Sequence, residues 1–185
     1  SITQAEMQQF TDFAMEIMLP PNPVRPLTNT LSGDALQGEN LFDGPTTDTV
    51  STCEGCHRLD PSQGFFGTGG GKTFESEPQF MKVAHMRNLY NKVGMFSVSG
   101  DQVRGFGFLH DGSVDTVDTF LEAPVFGLDD AQEDDLERFS LAFPTDLAPI
   151  VGQQITLTSA NKNGDAGDRL DLMIARAGQN YNSLM

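Results

Sequence analysis

The sequence predicts a mainly α-helical protein broken by long irregular loops, and three observations carry that expectation. Apolar residues recur at helical spacing in several short stretches. Glycine and proline are frequent, at 19 and 10 of 185 residues. Only 38% of the chain is hydrophobic, so short helices joined by irregular segments fit better than a regular bundle. The length suits one domain, or one domain with terminal extensions.

Between Gln4 and Met18, the residues Met7, Phe10, Phe13, Ala14 and Ile17 mark an amphipathic helix. "LPPNPVRP", from Leu19, then stops it, because proline removes amide donors and restricts the residue before it. "SGDALQGENLF" starts a second helix, with Ser32 or Asp34 as cap and Leu36, Leu41 and Phe42 as its buried stripe. "SQGFFGTGGGKTFESEP", from Ser62, carries too much glycine for regular structure and reads as a wrapping loop anchored by Phe65 and Phe66. A short helix is expected over Ala84–Tyr90. The glycine-punctuated run from Tyr90 to Ser113 is long enough to be a functional loop. Helices resume at Thr116–Leu121 and at Asp130–Phe143, the latter capped by Asp129 or Asp130 with Leu136, Phe139 and Phe143 inward. The tail reads as an extended piece, a polar turn and a last helix over Asp168–Ala177. Its "NKNGDAGD" lacks the ligand order and closing glutamate of a calcium loop, which favours a solvated turn.

Chemistry concentrates in "STCEGCHRLDP", residues Ser51 to Pro61, which holds both cysteines and one of three histidines. C-x-x-C-H is the attachment pattern of c-type haem: two thiols add across the vinyl groups and the next histidine becomes the proximal iron ligand. The motif therefore predicts one covalent haem c on Cys53 and Cys56 with His57 as ligand. A Cys53–Cys56 disulfide or redox loop is the alternative; a zinc site would draw on His85 and His110, with no further cysteine to help.

The second axial ligand decides between electron transfer and ligand chemistry. Met95, in the apolar stretch "KVGMFSVSG", is the favoured candidate, with Met86 and Met81 as alternatives. Met173 reads as core filling in the last helix. His110, in "FLHDGS", reads as a buried imidazole bonded to backbone, as a turn residue supported by Asp111 and Gly112, or, like His85, as an iron ligand. Arg87 and Arg104 are candidates to pair with haem carboxylates, since the guanidinium fork matches them; the alternative is that they are surface arginines.

Formal net charge is −15. That excludes a nucleic-acid partner, which needs Lys and Arg clusters, and leaves either a basic docking face on a redox partner or a plain solubilising surface. No apolar run approaches the ~20 residues of a membrane span. Haem attachment by this motif occurs outside the bacterial cytoplasm, so a periplasmic or extracellular setting, and a leader or upstream secreted domain, are expected.

"FMKVAHMRNLY" and "FLHDGSVDTVDTFL", with the haem motif, resemble the C-terminal, electron-transferring haem domain of bacterial dihaem cytochrome c peroxidases and the related methylamine-utilisation proteins. The resemblance runs from about Asp34 to Phe143. It implies a class I-like cytochrome c domain, Arg87 near the haem propionates, and a structural His110 in the distal loop. Three departures accompany it: the chain has one C-x-x-C-H where the family has two haems; Pro124 stands where the family's distal Met or Tyr is expected; and an insertion containing Met95 separates Asn88 from His110.

The expected organisation is therefore an N-terminal helix and Pro-rich connector (1–30), a cytochrome c haem domain (31–150) and a C-terminal extension packing on it (151–185). The expected function is a monohaem c-type cytochrome, or the cytochrome domain of a larger secreted protein, carrying single electrons between redox partners. No residue is assigned a catalytic role. The competing expectations are a haem peroxidase or oxidoreductase component with a displaceable distal ligand, and a gas-binding sensor.

Overall fold

The computed structural model describes residues 2–48, 50–73, 81–92 and 107–179. Within them the chain is mainly helical: α1 (Gln4–Met15), α2 (Asp34–Asp43), α3 (Cys53–Cys56), α4 (Val117–Leu121), α5 (Asp130–Leu141) and α6 (Asp165–Ala177). Two-residue strands β1 (Leu59–Asp60) and β2 (Phe65–Phe66) pair antiparallel, Leu59 opposite Phe66. No helix among the described residues is long and apolar enough to cross a membrane.

The core forms where α2 crosses α5. Gly38 lets the two backbones meet, since a Cβ there would fall 2.7 Å from Phe139 Cβ and against the Asp135 carbonyl. Beside that contact, Phe42, Phe139 and Phe143 form a triad with ring centroids 5.2–5.7 Å apart and tilted or edge-on planes, the arrangement aromatic quadrupoles prefer. Phe139 and Phe143 are fully buried, and Leu31, Phe108, Val117, Leu121 and Leu136 complete the cluster. The chain between α2 and α5 carries the C-x-x-C-H motif, so the crossing sets where that motif stands.

Helix ends follow local chemistry. Thr3 and Glu6 make a capping box on α1, and Asp129 and Gln132 make one on α5. Thr116, expected inside its helix, is instead the N-cap of α4, its hydroxyl accepting from Thr119 N–H. The start of α2 departs from expectation: Gly33 occupies the N-cap with φ 57°, a left-handed conformation that Ser32 or Asp34 would adopt only with strain. Its buried face is Gly38 and Phe42, whereas Leu36 is exposed. The C-terminus of α5 stops at Leu141, two residues short of expectation. Asn22 Nδ2 donates to the Leu141 and Phe143 carbonyls, Arg25 Nη1 donates to the Ala142 carbonyl, and Pro144 follows. The proline-rich connector thus serves as the C-terminal cap of the central helix.

The outer segments depart from expectation at two points and agree with it at a third. α1 ends at Met15 rather than Met18, and none of its residues is buried; Met7, Phe10 and Phe13 are at least half exposed. The expected extended piece after Gly152 forms no strand, and α6 starts three residues early, at Asp165. Finally, Asn161 spends its side chain locally, Oδ1 accepting from Thr158 N–H and Nδ2 donating to the Thr156 carbonyl. That is a self-satisfied polar turn.

The α2–α5 contact yields a quantitative expectation. Gly38→Ala forces the Asp135 backbone outward, an overpacking cost of roughly 1–3 kcal/mol that exceeds the ~1 kcal/mol an alanine gains over glycine in a helix. Its denaturant midpoint should fall. Gly71→Ala, with no atom within 4 Å of the added Cβ, should leave the midpoint within about 0.5 kcal/mol of the parent.

Candidate haem-attachment site

The motif occupies a single helical turn. Thr52 caps α3 by accepting from Gly55 N–H at 2.9 Å, and His57 N–H closes the turn on the Cys53 carbonyl at 2.7 Å. A Cβ at position 55 would meet the Ser51 hydroxyl, which would have to turn aside. Upstream, Asp48 Oδ1 accepts from the Val50 and Ser51 amides and fixes the approach to α3. Both cysteines are free, partly buried thiols. Cys53 packs against the central cluster, with its sulfur 3.3 Å from the Thr47 hydroxyl.

Behind the motif the chain turns back as a hairpin. β1 and β2 are joined by a 3₁₀ turn over Pro61–Gln63, with Gly64 left-handed at φ 80° and Gly67 N–H donating to the Arg58 carbonyl. The expectation of a wholly irregular loop is corrected here, because β1 supplies ladder partners for Phe65 and Phe66. Phe66 is buried, while Phe65 lies under the Arg58 guanidinium, 4.0 Å from ring centroid to carbon. Gly67 holds φ 92°, and a Cβ would fall 2.6 Å from Met86 N.

That close approach brings a second segment to the histidine. Met86 N–H donates to the Phe66 carbonyl, and His57 Nδ1 lies 3.0 Å from the Gly67 carbonyl and 3.2 Å from the Ala84 carbonyl. Carbonyls only accept, so Nδ1 carries a proton, and in the neutral form of such a ring the lone pair is on Nε2. The same bonds explain a failed expectation. Ala84 commits its carbonyl to His57 and Met86 its amide to β2, so no α-helix forms over Ala84–Tyr90; a 3₁₀ turn, Leu89–Lys92, follows instead. Lys92 Nζ then donates to the Gly107 carbonyl and lies over the Phe108 ring, tying this turn to the next segment.

The other named candidates are dispersed. Met86 is partly buried against the core and Met81 is half exposed. Met95 and Arg104 lie outside the described residues. His110 is exposed in a turn bounded by the Phe108–Val114 bridge, where Asp111 Oδ1 accepts from Ser113 N–H. Arg87 is neither a free surface arginine nor fully buried. Its Nη1 is 2.6 Å from Asp146 Oδ1, and its guanidinium lies 5.6 Å from the Phe66 ring centroid. Arg87 Nε is buried without a hydrogen-bond acceptor among the described residues, an arrangement that costs about 1–3 kcal/mol when left unrelieved. Nearby, His85 has its pKa lowered by burial and by the positive charge of Arg87.

Sequence reasoning missed the two carbonyl acceptors of His57, because backbone groups leave no trace in composition. It also missed Asp146. A signal was available there: a lone carboxylate in the apolar, proline-flanked run "FPTDLAPI" is out of place unless paired. Among the described residues, no three His, Cys, Asp or Glu side chains gather as a metal-binding group. Compared with family profiles, curated proteins and solved structures, the chain matches none.

The Cys53 thiol supplies a pH test on the haem-free chain. Burial holds its pKa above the ordinary thiol value of 9.0, partly opposed by the Thr47 hydroxyl. An acid whose folded pKa is raised stabilises the fold below its unfolded pKa, and that contribution is lost as pH rises through the folded value. Denaturant midpoints should therefore fall as pH climbs above 9.0, and the fall should be shallower in Cys53→Ala. Parallel slopes for the two proteins would contradict the burial argument.

Proposed function

We propose that this chain is a monohaem c-type cytochrome, or the cytochrome domain of a larger secreted protein, passing single electrons between partner proteins outside the cytoplasm. One observation carries the reading: two free thiols on one helical turn, followed by a histidine whose Nδ1–H is held by two backbone carbonyls. A redox dithiol needs no such histidine. An iron ligand does, because a fixed tautomer and orientation make Nε2 a competent donor and raise its basicity.

The residues fit the group in three respects. Cys53 and Cys56 are reduced, as thioether formation requires. His57 is oriented before any metal arrives. The orphaned Nε–H of Arg87 is a donor suited to a carboxylate such as a haem propionate. Bound there, a covalent haem supplies a one-electron iron couple. Cys53 and Cys56 would hold it to the chain and His57 would ligate the iron, with Phe66 buried in the hairpin that follows the motif. Met95 is proposed as the second residue that would ligate the iron. Arg104 is proposed as a second carboxylate partner, and residues 31–150 as a class I-like haem domain. The crossing of α2 on α5, with the motif strung between them, supports that architecture. The formal charge of −15 favours a partner with a basic face.

The decisive experiment is export of the chain in a host that matures c-type cytochromes. The pigment should survive acid–acetone extraction, stain on a denaturing gel, and give one haem per chain by pyridine haemochrome. Cys53→Ala with Cys56→Ala should abolish the stain. In the intact protein the near-infrared sulfur-to-iron band should be present and should vanish in Met95→Ala but persist in Met86→Ala and Met81→Ala. Rapid peroxide turnover by the unmutated protein would replace the carrier reading with an enzymatic one.

Docking is tested separately through salt. Reduction by a basic donor protein should slow as ionic strength rises from about 0.01 to 0.15 M, where the screening length drops from roughly 30 to 8 Å. A flat stopped-flow rate across that range would assign the acidic charge to solubility alone.

A further inference from the structure

Asp146 joins segments far apart in sequence. It is buried, its Oδ1 accepting from Arg87 Nη1 and its Oδ2 from Leu19 N–H, each at 2.6 Å. Leu19 begins the connector that caps α5 through Asn22 and Arg25. Arg87 belongs to the segment whose Ala84 carbonyl receives His57 Nδ1–H. One carboxylate therefore couples the N-terminal connector to the segment behind the proposed iron ligand.

The donor arithmetic at Arg87 is incomplete. Asp146 takes Nη1, the Phe66 ring lies near the guanidinium, and Nε–H is left buried with no acceptor among the described residues. Buried N–H groups without partners are rare, and an arginine already neutralised by one carboxylate keeps a second edge of its fork for another. Lys82 adds positive charge to the same region, acting on His85 together with Arg87. The surroundings thus suit one further anion.

We infer that Asp146 is a positioning residue: it fixes the Arg87 fork so that Nε–H is presented to a haem carboxylate, and through Leu19 it makes the N-terminal connector part of the haem enclosure. The inference rests on the haem reading above. The connector then does more than cap α5, because movement at Leu19 is transmitted to Arg87 through a single shared carboxylate.

The test uses the full chain with haem attached and reads the propionate-bending band by resonance Raman, together with thermal stability. Arg87→Gln, which removes the donor, and Asp146→Asn, which removes the charge but keeps an acceptor for Leu19 N–H, should both shift that band downward. Asn22→Ala removes the connector's bonds to the Leu141 and Phe143 carbonyls without touching Arg87; it should lower the melting temperature and leave the band in place. If Asp146→Asn does not accumulate, Asp146→Glu, which keeps the charge but displaces the carboxylate, is read in the same way. A band that moves in Arg87→Gln but in neither Asp146 variant overturns the role of Asp146. A band that moves equally in Asn22→Ala shows a general structural effect and overturns it as well. Absence of covalent haem from the unmutated protein defeats the functional reading first, and this inference with it.

Discussion

Backbone contact between α2 and α5 at Gly38 is the constraint on which the rest of the structure depends. Only a residue without a Cβ lets the helices approach until Phe42 can reach Phe139 and Phe143. Once that triad closes, the ends of both helices are fixed, and the chain from Gly44 to Asp129 must span between them. Its first rigid element after α2 is the turn bearing Cys53 and Cys56. A helix crossing with a tight tolerance therefore becomes the frame that locates two thiols and a histidine.

Around this frame, stability and site geometry share the same polar groups. Asn22 and Arg25 satisfy the carbonyls at the end of α5, and Asp146 holds both Leu19 and Arg87. Behind the motif, Gly67 and Ala84 orient His57 while Gly67 also admits Met86. Little of this is surplus hydrogen bonding. Arg25 is partly buried, its pKa lowered by burial and countered by the charge of Glu39, so its bonds to the Ala142 carbonyl and to Asn29 matter more than a surface pair would. The sparse apolar content of the chain is offset by such anchoring of irregular segments.

The helices at the two ends stand apart from this network. α1 and α6 have sound caps or strong amphipathic pattern, yet neither contains a buried residue. Helical periodicity reports that a face can be buried; it does not say against what. For α5 the stripe of Leu136, Phe139 and Phe143 met α2, and for α1 the stripe of Met7, Phe10 and Phe13 met solvent. The sequence signals were of similar quality, and only the position of neighbours separates them.

What the sequence determined by itself was local chemistry: most helical spans to within about three residues, the capping residue Asp129, and the grouping of Cys53, Cys56 and His57 within five positions. These depend on neighbours within four or five residues, so spacing alone reveals them. Tertiary structure decided the rest. It chose Gly33 over Ser32 or Asp34 as a cap, denied a helix to Ala84–Tyr90, and brought two carbonyls to one imidazole. It also paired Arg87 with Asp146 across 59 positions of chain. The physical reason is common to these cases: a backbone amide, a carbonyl or a lone buried charge takes whichever partner the folded chain delivers, and such partners carry no periodicity that a linear sequence can show.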